Sequence, residues 1–238
     1  AVQAQDSGGG AKAAHGDGNF YLSSGEKAFF TLNINPADTI GTGGHIDFSI
    51  GGAGVSTNNF ISTTSTTSTR TRTYTFGAEN GTMALTGNTV VDQAGNNMTG
   101  FSTALADTII VDTTDPVIVF TNDIDAGPTQ SDDVVITITE DNIDAAEYGL
   151  VASAGACTTG STFGTTVTSG ATISFNTEAN NTKFVCVKVT DKAGNETVTV
   201  SGNDLNIDVT APVISEVTPV ADPTNDDTPN YTFTTDEL

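Results

Sequence analysis

Two groups of residues in this sequence have types and spacing suited to chemistry. The first is a set of oxygen donors: Asp112, Asp115, Glu140, Asp141 and Asp144, and, further along the chain, Asp191 and Asn195. Carboxylates, amide oxygens and backbone carbonyls are the hard ligands that calcium gathers, about six to eight at a time and with tolerant geometry, whereas magnesium demands a stricter octahedron. The spacing is not that of an EF-hand loop, so these residues can serve one ion only if the fold collects them. The second group is Cys157 and Cys186, the only cysteines. In an exported protein such an even pair reads as a disulfide.

Other chemistries find little support. His15 and His45 have no cysteine or second histidine at metal-ligand spacing. There is no G-x-S-x-G elbow and no phosphate-binding glycine loop. Paired carboxylates could in principle hydrolyse glycosides, but they need a cleft and perturbed surroundings that repeated turn acids do not supply. The expectation is a protein without catalysis.

The elements that must position these residues are strands. Threonine and valine are abundant, and short alternating runs recur where no apolar stripe of helical period does. The 29 acidic residues outnumber the 7 basic ones and give a net charge of −22. Such a surface repels nucleic acid and anionic lipid, and it also repels itself unless cations screen or bridge it. No apolar run approaches the roughly 20 residues that span a bilayer. The opening Ala1-Val2-Gln3-Ala4-Gln5-Asp6, with small residues at alternate positions, resembles the surroundings of a signal-peptidase cleavage point.

The chain repeats itself. Val111-Asp112-Thr113-Thr114-Asp115-Pro116-Val117-Ile118 returns as Ile207-Asp208-Val209-Thr210-Ala211-Pro212-Val213-Ile214, and Val91-Asp92-Gln93-Ala94-Gly95-Asn96 returns as Thr190-Asp191-Lys192-Ala193-Gly194-Asn195. Gln130-Ser131-Asp132-Asp133 finds a counterpart in Thr224-Asn225-Asp226-Asp227. These matches divide the chain into a flexible leader (1–18), a first repeat (19–111), a second (112–207) and the first strand pair of a third (208–238), which further sequence is expected to continue. In the second repeat, strands are expected at Val117–Thr121, Val134–Thr139, Glu147–Ala152, around Thr165–Phe175, at Lys183–Thr190 and at Thr197–Ile207. The stretch Ser62–Thr73 suits either an outer strand or a loop. Seven or so short strands in such a length is the pattern of a β-sandwich.

The D-T-T-D-P-V-I and D-V-T-A-P-V-I linkers at Asp112 and Asp208, with the D-x-A-G-N hairpins ending at Asn96 and Asn195, resemble the bacterial Ig-like repeats of giant surface adhesins and other cell-surface proteins. The resemblance implies an all-β fold of tandem Ig-like sandwiches on the cell surface, with neighbouring repeats, self-assembly or a receptor as partners. In such a topology the hairpin between the last two strands and the loop between the second and third face the linker. Asp191 and Asn195 would then approach Glu140, Asp141 and Asp144, while Asp112 and Asp115 arrive from the linker, and calcium is the implied cofactor. The hairpins also make sense as plain turns, since Asp opens them and Gly takes positive φ. With Val185, Val187 and Val189 facing the core, Cys186 falls on the outer face of its strand. The function expected is structural, as an adhesin stalk, surface fibre or surface-layer subunit. The alternative is a glycan- or receptor-binding accessory module, which the absence of Trp disfavours.

Overall fold

The computed structural model describes residues 1–33, 44–56, 69–220, 222 and 225–237. Most of the Ser/Thr-rich stretch, residues 62–68, lies outside the described residues, as does Thr224 of the third sequence match.

Alternation explains the strands. In Lys27–Asn33 the residues Ala28, Phe30 and Leu32 are buried while their neighbours are not, so one face turns inward and the other meets solvent. Two hydrophobic cores result. The first draws on β1 (Val2–Gln5), β2 (Phe20–Leu22), β3 (Lys27–Asn33), β4 (Ile46–Ile50), β5 (Ala53–Ser56), β6 (Thr69–Thr75), β7 (Gly81–Asn88) and β8 (Ile109–Val111). They form one sheet in the order β1-β3-β6 and another in the order β2-β8-β7-β4-β5. Phe30 of one sheet packs against Phe48 of the other at 5.4 Å between ring centroids.

The second sandwich is built from β9 (Val117–Asn122), β10 (Asp132–Thr139), β11 (Ile143–Val151), β12 (Thr165–Thr166), β13 (Thr172–Phe175), β14 (Phe184–Asp191) and β15 (Glu196–Val200). Its sheets run β13-β10-β9 and β12-β11-β14-β15. Ile118, Val134, Ile136 and Ile173 from the first sheet meet Ala146, Val185, Val187 and Val189 from the second. Two sheets closing over one interleaved core make each body a sandwich, and the chain is all-β of the Ig-like sandwich class. Beyond these, β16 (Ile214–Thr218) pairs antiparallel with β17 (Thr232–Thr235), and both are exposed throughout.

Both sandwiches end in the same kind of parallel contact. β2 lies parallel to β8, and the N–H of Asp112 donates to the Leu22 carbonyl at 2.8 Å. In the second sandwich Thr129 and Ile207 form a parallel bridge, and the N–H of Asp208 donates to the Thr129 carbonyl, again at 2.8 Å.

Three expectations require correction. Residues 1–18 are not a flexible leader: β1 pairs with β3 from Val2↔Phe30 to Gln5↔Lys27, Ala4 is buried, and the first sandwich therefore takes its edge strand from the segment assigned to the leader. The strand expected at Glu147–Ala152 begins four residues earlier, at Ile143. The last strand of the second sandwich stops at Val200 rather than running to Ile207. Ser201 N–H still donates to the Val185 carbonyl at 2.9 Å, but Gly202 and Asn203 leave the ladder, with Gly202 N–H and the Asn203 amide turning to Asp123 and Ile124.

Candidate functional site: the acidic junction

The linker from Asp112 to Pro116 joins β8 to β9 and is held by side chains rather than by a ladder. Thr114 N–H donates to Asp112 Oδ1 at 3.2 Å, which makes an Asx turn. Thr113 N–H donates to Asn80 Oδ1 at 2.7 Å.

The hairpin between β14 and β15 reaches this linker from the other side. Asp191, only 1% exposed, organises the turn with its own carboxylate. Oδ1 accepts from the N–H groups of Gly194 and Asn195 at 2.7 and 2.8 Å, and Oδ2 accepts from the Asn195 amide at 2.7 Å. Gly194 sits at φ 97°, which a side chain would strain. The Asn195 amide also donates to the carbonyls of Asp112 and Thr114, at 3.0 and 3.3 Å. A turn that satisfies itself thus has one amide left to grip the linker.

The loop after β10 completes the group. Asn142 donates from its side chain to Asp112 Oδ2 at 3.2 Å, and its N–H caps Glu140 Oε1 at 2.8 Å. One carboxylate oxygen from each of Asp112, Glu140 and Asp191 lies within 4.8 Å of the other two. Burial, and then the charges of Asp112 and Asp191, push the Glu140 carboxyl above the usual glutamate range, against the pull of the Asn142 N–H. Three hard oxygens with no nitrogen or sulfur among them suit calcium or magnesium and not zinc.

Of the seven residues expected at one site, the structure brings together Asp112, Glu140, Asp191 and Asn195, the last through its amide nitrogen. Asp115 and Asp141 are exposed and outside the group of three. Asp144 turns instead to His15, whose Nε2 lies 3.0 Å from its Oδ1. That partner is 129 positions away, and no local pattern announces it.

The first sandwich builds the same turn in a different place. Asp92 Oδ1 accepts from Ala94 and Asn96 N–H, Oδ2 accepts from the Asn96 amide at 2.7 Å, and Gly95 sits at φ 92°. These bonds, the Asn96 amide foremost, hold the Asp92 carboxyl below its ordinary range. Ile46 of β4 pairs with Asn88, however, whereas Ile143 of β11 pairs with Asp191. Counted from the strand pair, the first turn lies four residues further out.

Cys157 and Cys186 are bonded, with Cα atoms 5.5 Å apart. Cys186 alternates with the core-facing Val185 and Val187, so it is on the outer face of β14, yet it is fully buried. The cover is the segment after β11, with its 3₁₀ turn at Ala154–Ala156. Gly149 is the cross-strand partner of Cys186, and a Cβ there would stand 2.2 Å from the Thr162 carbonyl oxygen. Lys188 lies over the Phe163 ring at 5.4 Å. The bond therefore ties a flap onto the sheet.

The fold defines a protein of Ig-like sandwiches, with a cluster of three carboxylates beside the linker that joins them. No family model and no curated protein matches the sequence. Among solved structures the chain is similar to the fibronectin(III)-like modules of CbhA from Clostridium thermocellum, with 12% identity, a TM-score of 0.34, and coverage of 87% of this chain and 95% of that one. At that level the similarity carries no argument.

Proposed function

We propose that the chain is a non-catalytic, structural stretch of tandem Ig-like units from an exported cell-surface protein, and that a divalent cation, calcium by preference, stiffens its junction at Asp112, Glu140 and Asp191. The observation that carries this reading is the grip of the second sandwich on the linker: Asn195 reaches the carbonyls of Asp112 and Thr114, and three carboxylate oxygens converge beside it. An ion there would draw ligands from the linker and from two loops at once, and its charge would offset the burial and the carboxylate repulsion that together raise Glu140. Water would complete the shell.

Two further observations support the tandem and exported parts. The Asp112 closure returns at Asp208, where Thr210 N–H again donates to the aspartate Oδ1 at 3.2 Å. On this reading residues 208–238 open a third unit. The disulfide suits an oxidising compartment. Neighbouring units, self-assembly or a receptor are the partners this implies.

Calorimetric titration of the 238-residue chain with calcium tests the site. We expect one binding event that Asp191→Ala abolishes, and a chelator should widen the distribution of end-to-end distances in X-ray scattering. Titration with no heat and no calcium-dependent change in scattering would reduce the cluster to a solvated acidic surface.

A further inference from the structure

We infer that Asp17 and Lys192, seated against Tyr21, form a direct clasp between the two sandwiches that holds their relative orientation without any bound ion. The clasp uses none of the three carboxylates of the acidic junction, although Lys192 belongs to the same hairpin as Asp191, and it stands whether or not calcium binds there.

The half on the first sandwich is formed in advance. His15 to Asn19 makes a closed turn in which His15 N–H donates to the Asn19 carbonyl and Gly18 N–H to the His15 carbonyl, each at 2.8 Å. Asp17 stands near its tip. Its Oδ1 accepts from Asn19 N–H at 3.0 Å and its Oδ2 from the Tyr21 hydroxyl at 2.8 Å. Tyr21 is 4% exposed and belongs to β2, so the turn is anchored to the strand that pairs with β8 just before the linker.

Lys192 supplies the other half. Its ammonium lies 2.6 Å from Asp17 Oδ2, 3.4 Å from the Tyr21 hydroxyl and 5.1 Å from the centre of the Tyr21 ring. An isolated exposed ion pair contributes little, because ordering two long side chains offsets the attraction. Here the carboxylate is already fixed by a turn and a hydroxyl, and the ring adds a second attraction from a rigid partner. A second contact runs alongside: His15 Nε2 meets Asp144, and the His15 ring packs edge-on to Tyr21 at 5.8 Å.

The sequence carries the same message. Lys192 is the variable residue of its D-x-A-G-N turn, and the corresponding residue of the first turn is Gln93. In both turns the N–H and amide of the closing asparagine bond to the aspartate carboxylate, and neither bond involves the side chain of Gln93 or Lys192. In a chain with 7 basic residues against 29 acidic ones, a lysine at this point opposes the mutual repulsion of two acidic bodies.

The test uses the full 238-residue chain in chelator, with spin labels at Ala84 and Ser174, which are exposed positions on the two sandwiches. Pulsed electron-spin measurements should give one narrow distance distribution. Lys192→Gln, which installs the residue of the first turn, and Asp17→Asn should each broaden it at least twofold. The double variant should be no broader than either single one. Both unfolding transitions should stay where they are, so that broadening reports orientation and not damage to a sandwich. A distribution already broad in chelator, single variants as narrow as the parent, or effects of the two changes that add would each overturn the clasp. Calcium titration of the same samples judges the acidic site separately.

Discussion

Removing the disulfide should destabilise the second sandwich alone, and by an amount the structure lets one work out. The bond joins residues 29 apart in sequence. In the chain-entropy model a loop of that size restricts the unfolded chain by about 12 cal/mol/K, or about 3.6 kcal/mol at room temperature. The folded side of the balance changes less, because the flap keeps the Lys188–Phe163 contact and the Gly164 N–H bond to the Tyr148 carbonyl. For a body of this size, each kcal/mol shifts the midpoint by roughly 4–8 °C. The Cys157→Ala, Cys186→Ala double variant should therefore lower one of two calorimetric transitions by roughly 14–29 °C. The other, belonging to the first sandwich, should not move. A shift under about 4 °C, or equal shifts in both transitions, would refute the reasoning, the first by showing that the flap confers little order and the second by showing that the two cores unfold as one.

Three other outcomes follow from named contacts. Gly149→Ala sets a methyl group against the Thr162 carbonyl, and chemical denaturation of the second sandwich should show a loss of about 1–3 kcal/mol, as overpacking does. Gly95→Ala and Gly194→Ala force positive φ on a side chain; each should cost about 1–2 kcal/mol, the first in one calorimetric transition and the second in the other. Glu140 has a folded-state pKa above its unfolded value of 4.5, so the folded protein binds its proton more tightly. In chelator, stability of the second sandwich should thus carry a component that falls as pH rises from 4.5 through the raised value and then levels off. Glu140→Gln should remove that component, and pH titrations of unfolding with and without calcium would detect its persistence.

The sequence was legible where chemistry is local. Val134, Ile136 and Ile138 alternate cleanly, and their strand lies where expected. The D-x-A-G-N turns write their own hydrogen bonds into five residues, and both form. What stayed hidden depends on distance or on weak apolar signal. β1 offers the first core one buried alanine and a half-buried valine, too little to stand out from a leader. The partner of Asp144 is His15, and that of Lys192 is Asp17, 175 positions away. The three carboxylates that meet were within reach of topological reasoning. The exclusion of Asp115 and Asp141 was not, because it turns on which way exposed side chains point.

The burial of Cys186 sets the terms on which its bond can be broken. Thiol–disulfide exchange needs a thiolate in line with the sulfur it attacks, and the departing sulfur must leave as an anion. No attacker reaches the fully buried Cys186, so attack must fall on Cys157, and the charge would then appear on Cys186, where exclusion of water stabilises it poorly. Reduction of the native protein is thereby directed to the half-buried Cys157, and it is slowed by the poor leaving group that the buried Cys186 makes.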